Sequence, residues 1–502
     1  MSNVRASVFF LKEEITPGTP VVPSAATDAV PLTEGGITMV PAVENLDNPE
    51  LSNDIGMTKG YIGKESPTGT FKAMVKGTGS EGVAPHWSLF LKSAMGASSV
   101  AAAEYDTVAA STTTVIKVGA GEAATFEIGE ALIIKDVTNG YSIRNIIAID
   151  TVLDQLTLNF QVAVAPALGV NLGKAVLIKP ATSGHPTFTA WHYLGNEGAI
   201  QMMTGNVTTS TSIDVTAGQQ VAVDFSFEGT GFYFDPMTAD NSAYKLDFID
   251  GRLVEKTALI TKKTYKDPHY IAEEVATKIS AASGIDNVTC SFSNTTGKMT
   301  LTSDGTFLQL LPVTGTNNTV SAFPLLGITA DKTGATTYDG AELSWVAPYV
   351  PSYDTAGVDS IIAKKAELFI GDGTDNLCVE ASNVVLAVTT TATENPSICS
   401  ETGVASKEVT KRECQMTCTI QMKRHQAGYF HSFITNKTLS AMVNVGPKDG
   451  SSNWVAGKAF NAFLGNCTIT GQEAGGDTLV TLALTIKGFV TTTKKDIYFN
   501  YV

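Results

Sequence analysis

The chain has 502 residues and a formal net charge of −15 at pH 7. Its length predicts three or four domains at about 100–200 residues each. The acidic balance excludes a general nucleic-acid binder, which needs clustered Lys and Arg. The first residues lack the pattern of a signal peptide, and no stretch approaches the ~18 apolar residues of a membrane span. We therefore expect synthesis in a reducing cytoplasm, with all cysteines as free thiols.

The chain opens on a polar segment, residues 11–24, that is rich in Pro and Thr and poor in core residues. An extended arm of this composition becomes ordered by packing on another surface. We expect that surface to belong to a neighbouring chain.

Strands with one buried and one wet side dominate the rest of the chain. In residues 221–228, Val221, Val223, Phe225 and Phe227 alternate with polar positions. Residues 66–76, 414–422 and 479–487 follow the same period of two, with Val480 assigned to the apolar set of the last. This alternation is typical of antiparallel sheets.

Helices are few, and the clearest prediction is residues 267–284. Asp267 is the predicted N-cap, Pro268 occupies the first turn, and Gly284 ends the helix. Two shorter helices are predicted at 85–95 and 426–435.

The sequence contains an internal repeat. Gly205-Asn-Val-Thr and Gly465-Asn-Cys-Thr each precede a glycine-bearing turn and a long alternating strand. Upstream of each lie a loop, a strand and a short helix in the same order. Alternation and glycine turns are common to all β-proteins, but the shared order favours a duplicated unit.

Two segments interrupt the repeated order and predict insertions. The first has short strands separated by turns, typical of a small closed barrel, and the second combines strands with the 267–284 helix. The predicted organisation is a first core half at 1–105 and 181–237, a small β insertion at 106–180, an α+β insertion at 238–347, and a second core half at 348–502.

Motifs for chemistry are weak. Residues 119–124 match a loose Gly-x-Gly-x-x-Ala pattern, but a strand follows where a phosphate-binding helix would be needed. Cys414 and Cys418 share a buried strand face, which favours core thiols over metal ligands. We therefore expect no enzyme activity, no cofactor and no metal.

The pattern resembles the tail tube (major tail) proteins of long-tailed bacteriophages. The resemblance lies in Glu14-Ile-Thr-Pro-Gly-Thr-Pro, the loop at 44–63, the strand and helix between 66 and 96, and the last ~100 residues with Gly-Asn-Cys-Thr. It leaves out both insertions and has no sharp signature.

The resemblance implies a mainly β fold: a duplicated tail-tube β-sandwich with short flanking helices, plus a small β-barrel-like insertion and an α+β insertion. In that family, sandwiches form stacked rings, and the inward sheets join into a barrel through which the genome passes. It implies the following candidate lumen-facing residues: Lys72, Lys76, Asp224, Ser226, Glu228, Gln415, Thr417, Thr419, Gln421, Thr481, Thr485 and Lys487. Because these include lysines, either the acidic excess lies in loops or insertions, or some of these faces are misassigned.

The implied partners are other copies of the chain, in a trimeric pseudo-hexamer or alternatively a true hexamer, and the rings above and below. Tape-measure, tail-terminator and distal-tail proteins are further partners, and double-stranded DNA passes without specific binding. The implied location is the virion tail, after synthesis in the host bacterial cytoplasm, with no membrane contact. The alternative is a surface or fibre-type adhesin whose Trp345, Tyr349 and Tyr353 would stack on sugars.

Overall fold

The mainly β fold is confirmed, with 49% strand and 10% helix. The computed structural model describes residues 7–24, 27–33, 35–48, 59–195, 199–305, 308–343, 360–372, 378–422, 427–475 and 480–502.

The elements before and within the predicted small β insertion are β1 Val8–Glu13, β2 Ala29–Val30, β3 Ile37–Val40, β4 Val43–Leu46, β5 Tyr61–Glu65, β6 Thr68–Met74, α1 Ser88–Met95, β7 Gly96–Val100, β8 Tyr105–Asp106, β9 Val115–Lys117, β10 Ala131–Ile134, β11 Ser142–Asp150, β12 Gln155–Leu158, β13 Asn171–Gly173 and β14 Val176–Pro180. The next elements, through the predicted α+β insertion, are β15 Phe188–Leu194, β16 Ala199–Thr216, β17 Ala222–Glu228, β18 Gly231–Phe234, β19 Met237–Thr238, β20 Lys245–Ile249, β21 Glu255–Leu259, β22 Thr264–Tyr265, α2 Pro268–Ser283, β23 Val288–Ser293, β24 Lys298–Ser303, β25 Leu308–Leu310, β26 Lys332–Ala335 and β27 Thr337–Glu342. The last elements are β28 Glu367–Gly371, β29 Ala381–Pro396, β30 Val404–Gln421, α3 Ala427–Ile434, β31 Leu439–Val445, β32 Phe460–Gly475, β33 Thr481–Gly488 and β34 Tyr498–Tyr501.

Eight strands form one continuous antiparallel sheet, which we name the long sheet. Its order is β3–β6–β17–β16–β29–β30–β33–β32, and every neighbouring pair is hydrogen-bonded. The strands are far apart in sequence, so the sheet is assembled from long-range pairings.

Two runs of elements share one pairing order. The first run is β1, β3, β6, α1 and β15–β18, and the second is β28–β30, α3 and β31–β34. The pairs β1–β15, β15–β16, β16–β17, β16–β18, β6–β17 and β3–β6 recur as β28–β31, β31–β32, β32–β33, β32–β34, β30–β33 and β29–β30. The duplication stays a prediction, and this recurrence is the observation in its favour.

One apolar core lies behind the long sheet and joins both runs. A single cross-strand row of buried side chains crosses seven strands: Ala73, Val223, Ile213, Leu386, Met416, Ile486 and Ile469. Behind this row pack side chains of β1, β15, β28, β31, β34, β14 and α1. At about 1.5–3 kcal/mol per buried aliphatic side chain, this face is the main source of stability.

The capping signals of α2 are confirmed. The Asp267 carboxylate accepts hydrogen bonds from the backbone N–H groups of His269 and Tyr270, Pro268 begins the helix, and Gly284 ends it with a φ of 69°. Ile271, Val275 and Ile279 are fully buried in a core formed by residues between Met237 and Tyr338. This segment therefore has a hydrophobic core of its own.

The predicted small β insertion contains a six-stranded sheet in the order β8–β13–β10–β11–β12–β9. A backbone hydrogen bond from Val108 N to Lys117 O, 2.8 Å long, links its two edges. Strand β14, also inside the predicted range 106–180, instead pairs with β7 and with β34 of the second run. The segment therefore lies between elements of the first run in sequence but packs on elements of the second run.

A cluster of buried asparagines fixes this contact. Asn461 of β32 and Asn145 of β11 exchange two amide hydrogen bonds of 2.8 and 3.0 Å. Asn461 also donates to Asn444 at 2.7 Å and accepts from Asn500 at 2.9 Å. All four side chains are fully buried. A satisfied polar network of this kind tolerates one packing geometry, because any shift leaves a buried amide unpaired.

Replacing Asn461 with Leu should destabilise the protein by about 3 kcal/mol, because the partner amides lose their bonds while staying buried. Denaturant unfolding measures this loss. Asn45→Ala, at an exposed position of β4, should change stability by less than about 0.5 kcal/mol. A loss no larger for Asn461→Leu than for the control would contradict a structural role for the cluster.

Candidate assembly surfaces

The predicted lumen-facing residues lie largely on one side of the long sheet, which we name the polar face. One cross-strand row runs through seven strands and contains Lys72, Asp224, Ser212, Ala387, Gln415, Lys487 and Thr468. The next row contains Met74, Ala222, Asp214, Val385, Thr417, Thr485 and Gly471. Four predicted residues therefore share the first row and two share the second.

The remaining predicted residues lie in other rows or at the ends of the strands. Ser226 pairs with Thr70, Thr419 with Asn383, and Gln421 with Thr481. Glu228 ends β17 and forms an ion pair with Lys407. Lys76 lies beyond the end of β6 and outside the paired rows.

Strands β16 and β29 also contribute to the polar face and were absent from the sequence prediction. Their members are Ser210, Ser212, Asp214, Asn383, Val385, Ala387 and Thr389. In the sequence, the Ser-x-Ser-x-Asp alternation of β16 indicates a polar side of this strand. The indication is weaker for β29, because Val385 and Ala387 interrupt its polar side.

The polar face combines hydroxyl and amide side chains with charges of both signs and a few apolar side chains. Lys72 lies 3.5 Å from Asp224 across β6 and β17, and Lys411 lies 2.6 Å from Glu413. All four of these charged side chains are at least half exposed, so each pair adds little stability. The acidic excess of the chain is not concentrated on this face.

Both ends of the long sheet are open edges. Strand β3 pairs with β6, and residues 471–475 of β32 pair with β33; no second partner occurs among the described residues. The two runs meet inside the sheet where β16 pairs with β29 over seven residue pairs. In the repeated order, β16 corresponds to β32 and β29 to β3. The two open edges are thus the counterparts of the two strands that join the runs.

A charged cluster clamps the β29–β30 hairpin to the first run. The Glu394 carboxylate accepts hydrogen bonds from Lys64 at 2.6 Å and Ser66 at 2.7 Å. Lys407, whose side chain is fully buried, lies 2.9 Å from Glu228 and 3.4 Å from Glu394. The hydrogen bond from Lys64 is the main reason why the pKa of Glu394 falls to about 2.

The N-terminal arm lies on its own chain, not on a neighbour as the sequence analysis expected. Strand β1 pairs with β15, and the Glu14 carboxylate accepts hydrogen bonds of 2.7–2.9 Å from Gly18 N, Gly205 N, Thr187 Oγ1 and Thr189 Oγ1. Burial raises the pKa of Glu14, and these bonds oppose that rise. Three of the four donors to Glu14 come from residues 187–205, and these hydrogen bonds hold the arm against its own chain.

Cys414 and Cys418 are buried in the core as predicted, and burial raises the pKa of each thiol. Within the described ranges, no group of three or more His, Cys, Asp or Glu side chains is placed to hold a metal ion. None of the described helices is long and apolar enough to span a membrane. Trp345, Tyr349 and Tyr353, the aromatic residues of the adhesin alternative, lie outside the described residues.

No known protein-family model matches the chain, and no curated protein matches it.

Replacing Glu394 with Gln should lower stability at pH 7 by about 1 kcal/mol, because Lys64 is partly exposed and the lost pair is screened. The ordinary pKa of 4.5 is lowered in the folded protein. The wild-type advantage is therefore complete above that value and is lost as the pH falls towards 2.

Urea unfolding at several pH values measures the difference between wild type and Glu394→Gln. Glu408→Gln, at an exposed position of the same hairpin, is the matched control and should show no such pH dependence. A difference that persists undiminished near pH 2 would contradict the assigned ionic contact.

Proposed function

We propose that the protein is a structural virion component that polymerises as stacked rings into a phage tail tube, a conduit for genome ejection. The observation that carries the proposal is the long sheet, which has one polar face, an internal junction between two similar runs, and open edges that correspond to that junction. The resemblance of sequence pattern points to the same function.

Pairing of β32 in one copy with β3 in the next would repeat the contact that β16 and β29 make within the chain. A head-to-tail contact of this kind produces a ring when its rotation closes. Closure also removes the exposed edges, which otherwise invite uncontrolled association. With two runs per chain, three chains supply six units, which favours the trimeric pseudo-hexamer over a true hexamer of chains.

The polar face suits the wall of a water-filled channel for DNA. Its hydroxyl and amide groups remain hydrated, and its lysines stand beside carboxylates, so no continuous basic strip is present to hold phosphate. A net negative protein repels the DNA backbone further. Double-stranded DNA would pass without specific binding. Stacked rings would meet tape-measure, tail-terminator and distal-tail proteins in the virion tail.

Negative-stain microscopy of the purified protein tests the proposal. We expect tubes or stacked rings whose cross-sections have threefold symmetry outside and pseudo-sixfold symmetry inside. True sixfold symmetry with 502-residue protomers would overturn the trimer. A monodisperse monomer that binds or cleaves a glycan would overturn the tube.

The edge contact is tested by placing proline at Glu473 and at Ala474 in separate variants. Neighbouring N–H groups of a strand point to opposite sides, so one faces β33 and the other the open edge. The proline facing the edge should block tube formation while leaving the melting temperature unchanged. The other should lower the melting temperature. Tube formation by both variants would contradict pairing at this edge.

The lumen assignment is tested by chemical labelling of Thr417→Cys in a Cys378→Ser, Cys399→Ser background, which removes the exposed thiols. In tubes, a small maleimide should label the new thiol, and a bulky polymer-linked maleimide should not. Both should label single chains. Tyr270→Cys, on the exposed side of α2, is the control and should react with both reagents in tubes. Equal labelling of Thr417→Cys by both reagents in tubes would contradict a lumen position.

A further inference from the structure

The helix of the second run presents an apolar surface to solvent. Phe430 is 55% exposed and Ile434 is 61% exposed on α3, whereas Tyr429 and Phe433 pack against the core. Met422 and Val480, which follow and precede paired strands, are also exposed, and Met422 N donates to Val480 O at 3.0 Å. Val480 was predicted to be buried, but β33 begins one residue later. We name the two exposed apolar residues of the helix, Phe430 and Ile434, the α3 patch.

The corresponding helix of the first run is covered. Phe90, Leu91, Ala94 and Met95 of α1 are each at most 1% exposed. The difference in exposure does not come from composition, because both helices are rich in apolar residues. It comes from the elements that pack against each helix.

Strands β7 and β14 cover α1. They pair with each other over five residues, both contact α1, and β14 also pairs with β34 of the second run. Helix α1 therefore lies where the two runs meet. Trp87, which immediately precedes α1, contacts Tyr501 of β34 there, with 5.7 Å between ring centroids.

Among the described residues, the second run has no counterpart of this segment between its helix and the next strand. Between α1 and β15 the chain inserts β7, the small β insertion and β14, whereas β31 begins five residues after the end of α3. In the described part of the second run, nothing equivalent to β7 and β14 packs on α3, and Phe430 and Ile434 stay exposed. Helix α3 contacts β32, the strand whose distal half is an open edge of the long sheet. The patch and the edge therefore lie on neighbouring elements.

We propose that the α3 patch is the docking surface for a second copy of this chain, at the same chain-to-chain junction as the β32 edge. The inference rests on the proposed ring assembly and adds an apolar contact to backbone pairing. The internal junction supplies the rationale: there a flanking helix is buried where two runs meet. At the proposed junction between chains, α3 occupies the corresponding position, and the neighbouring copy would cover its apolar side chains.

The test replaces Phe430 and Ile434 together with Gln, which keeps helix propensity while removing apolar surface. The variant should remain a single chain in sedimentation velocity at concentrations where the wild type assembles. Its assembly threshold should rise at least tenfold, with an unchanged melting temperature. Phe430→Leu with Ile434→Leu should restore assembly. Leu253→Gln with Tyr270→Gln, two exposed apolar positions of the α+β segment, should assemble as the wild type does.

The outcomes separate the two proposals. Wild-type protein that never assembles overturns the ring function. Wild-type and Gln variants that assemble at the same threshold overturn only the role of the patch. A Gln variant with a sharply lowered melting temperature also overturns that role, because the patch would then be covered within its own chain.

Discussion

The pairing of β16 with β29 is the contact on which the rest of the structure depends. It joins two runs of elements through seven antiparallel residue pairs and makes one sheet with one core. Without it, each run would present an edge at the same place, and edges of this length invite association. The contact uses backbone groups, so it requires little of the side chains beyond alternation. The two runs can therefore diverge in sequence and still meet in the same way.

Strands β16 and β32 each contribute to two layers, the long sheet and the strands that pack behind its apolar side. In each of these two strands, the first half pairs with strands behind the long sheet, and the second half pairs within the long sheet. Both strands shift register within a few residues of the Gly-Asn dipeptide, between Thr208 and Ser210 and between Ile469 and Gly471. A bulge bends a strand and increases its twist. At Gly205 the backbone has a φ of 63°, and a Cβ there would lie 2.2 Å from Thr230 Oγ1, which explains the glycine.

Local patterns predicted the local structure well. Alternation identified the paired strands of both runs, and the Asp-Pro start and glycine end located α2. The shared order of elements predicted a duplication, which the recurrent pairings favour. Long-range contacts were not predictable in this way. Nothing near Asn145 indicates that its amide meets Asn461 on the other run. The arm was assigned to a neighbour because its sequence shows polarity alone, whereas the donors to Glu14 come from residues 187–205. The polar face was found in four strands and missed in two: in β29 Val385 and Ala387 weaken the alternation, whereas in β16 the Ser-x-Ser-x-Asp pattern was overlooked.

The predicted small β insertion gives the junction inside the chain contacts that the proposed junction between chains would lack. It packs against the second run through buried amides and through Arg144, whose guanidinium lies 4.6 Å from the centre of the Phe369 ring. Strand β14, which follows it, hydrogen-bonds to β34. These contacts are buried and directional, so they fix the orientation of one run against the other when the chain folds. The proposed junction between chains would have only a strand edge and a small apolar patch. If the chain assembles as proposed, it would enter assembly with one rigid junction already formed, and the remaining association would depend on surfaces weak enough to stay separate at low concentration.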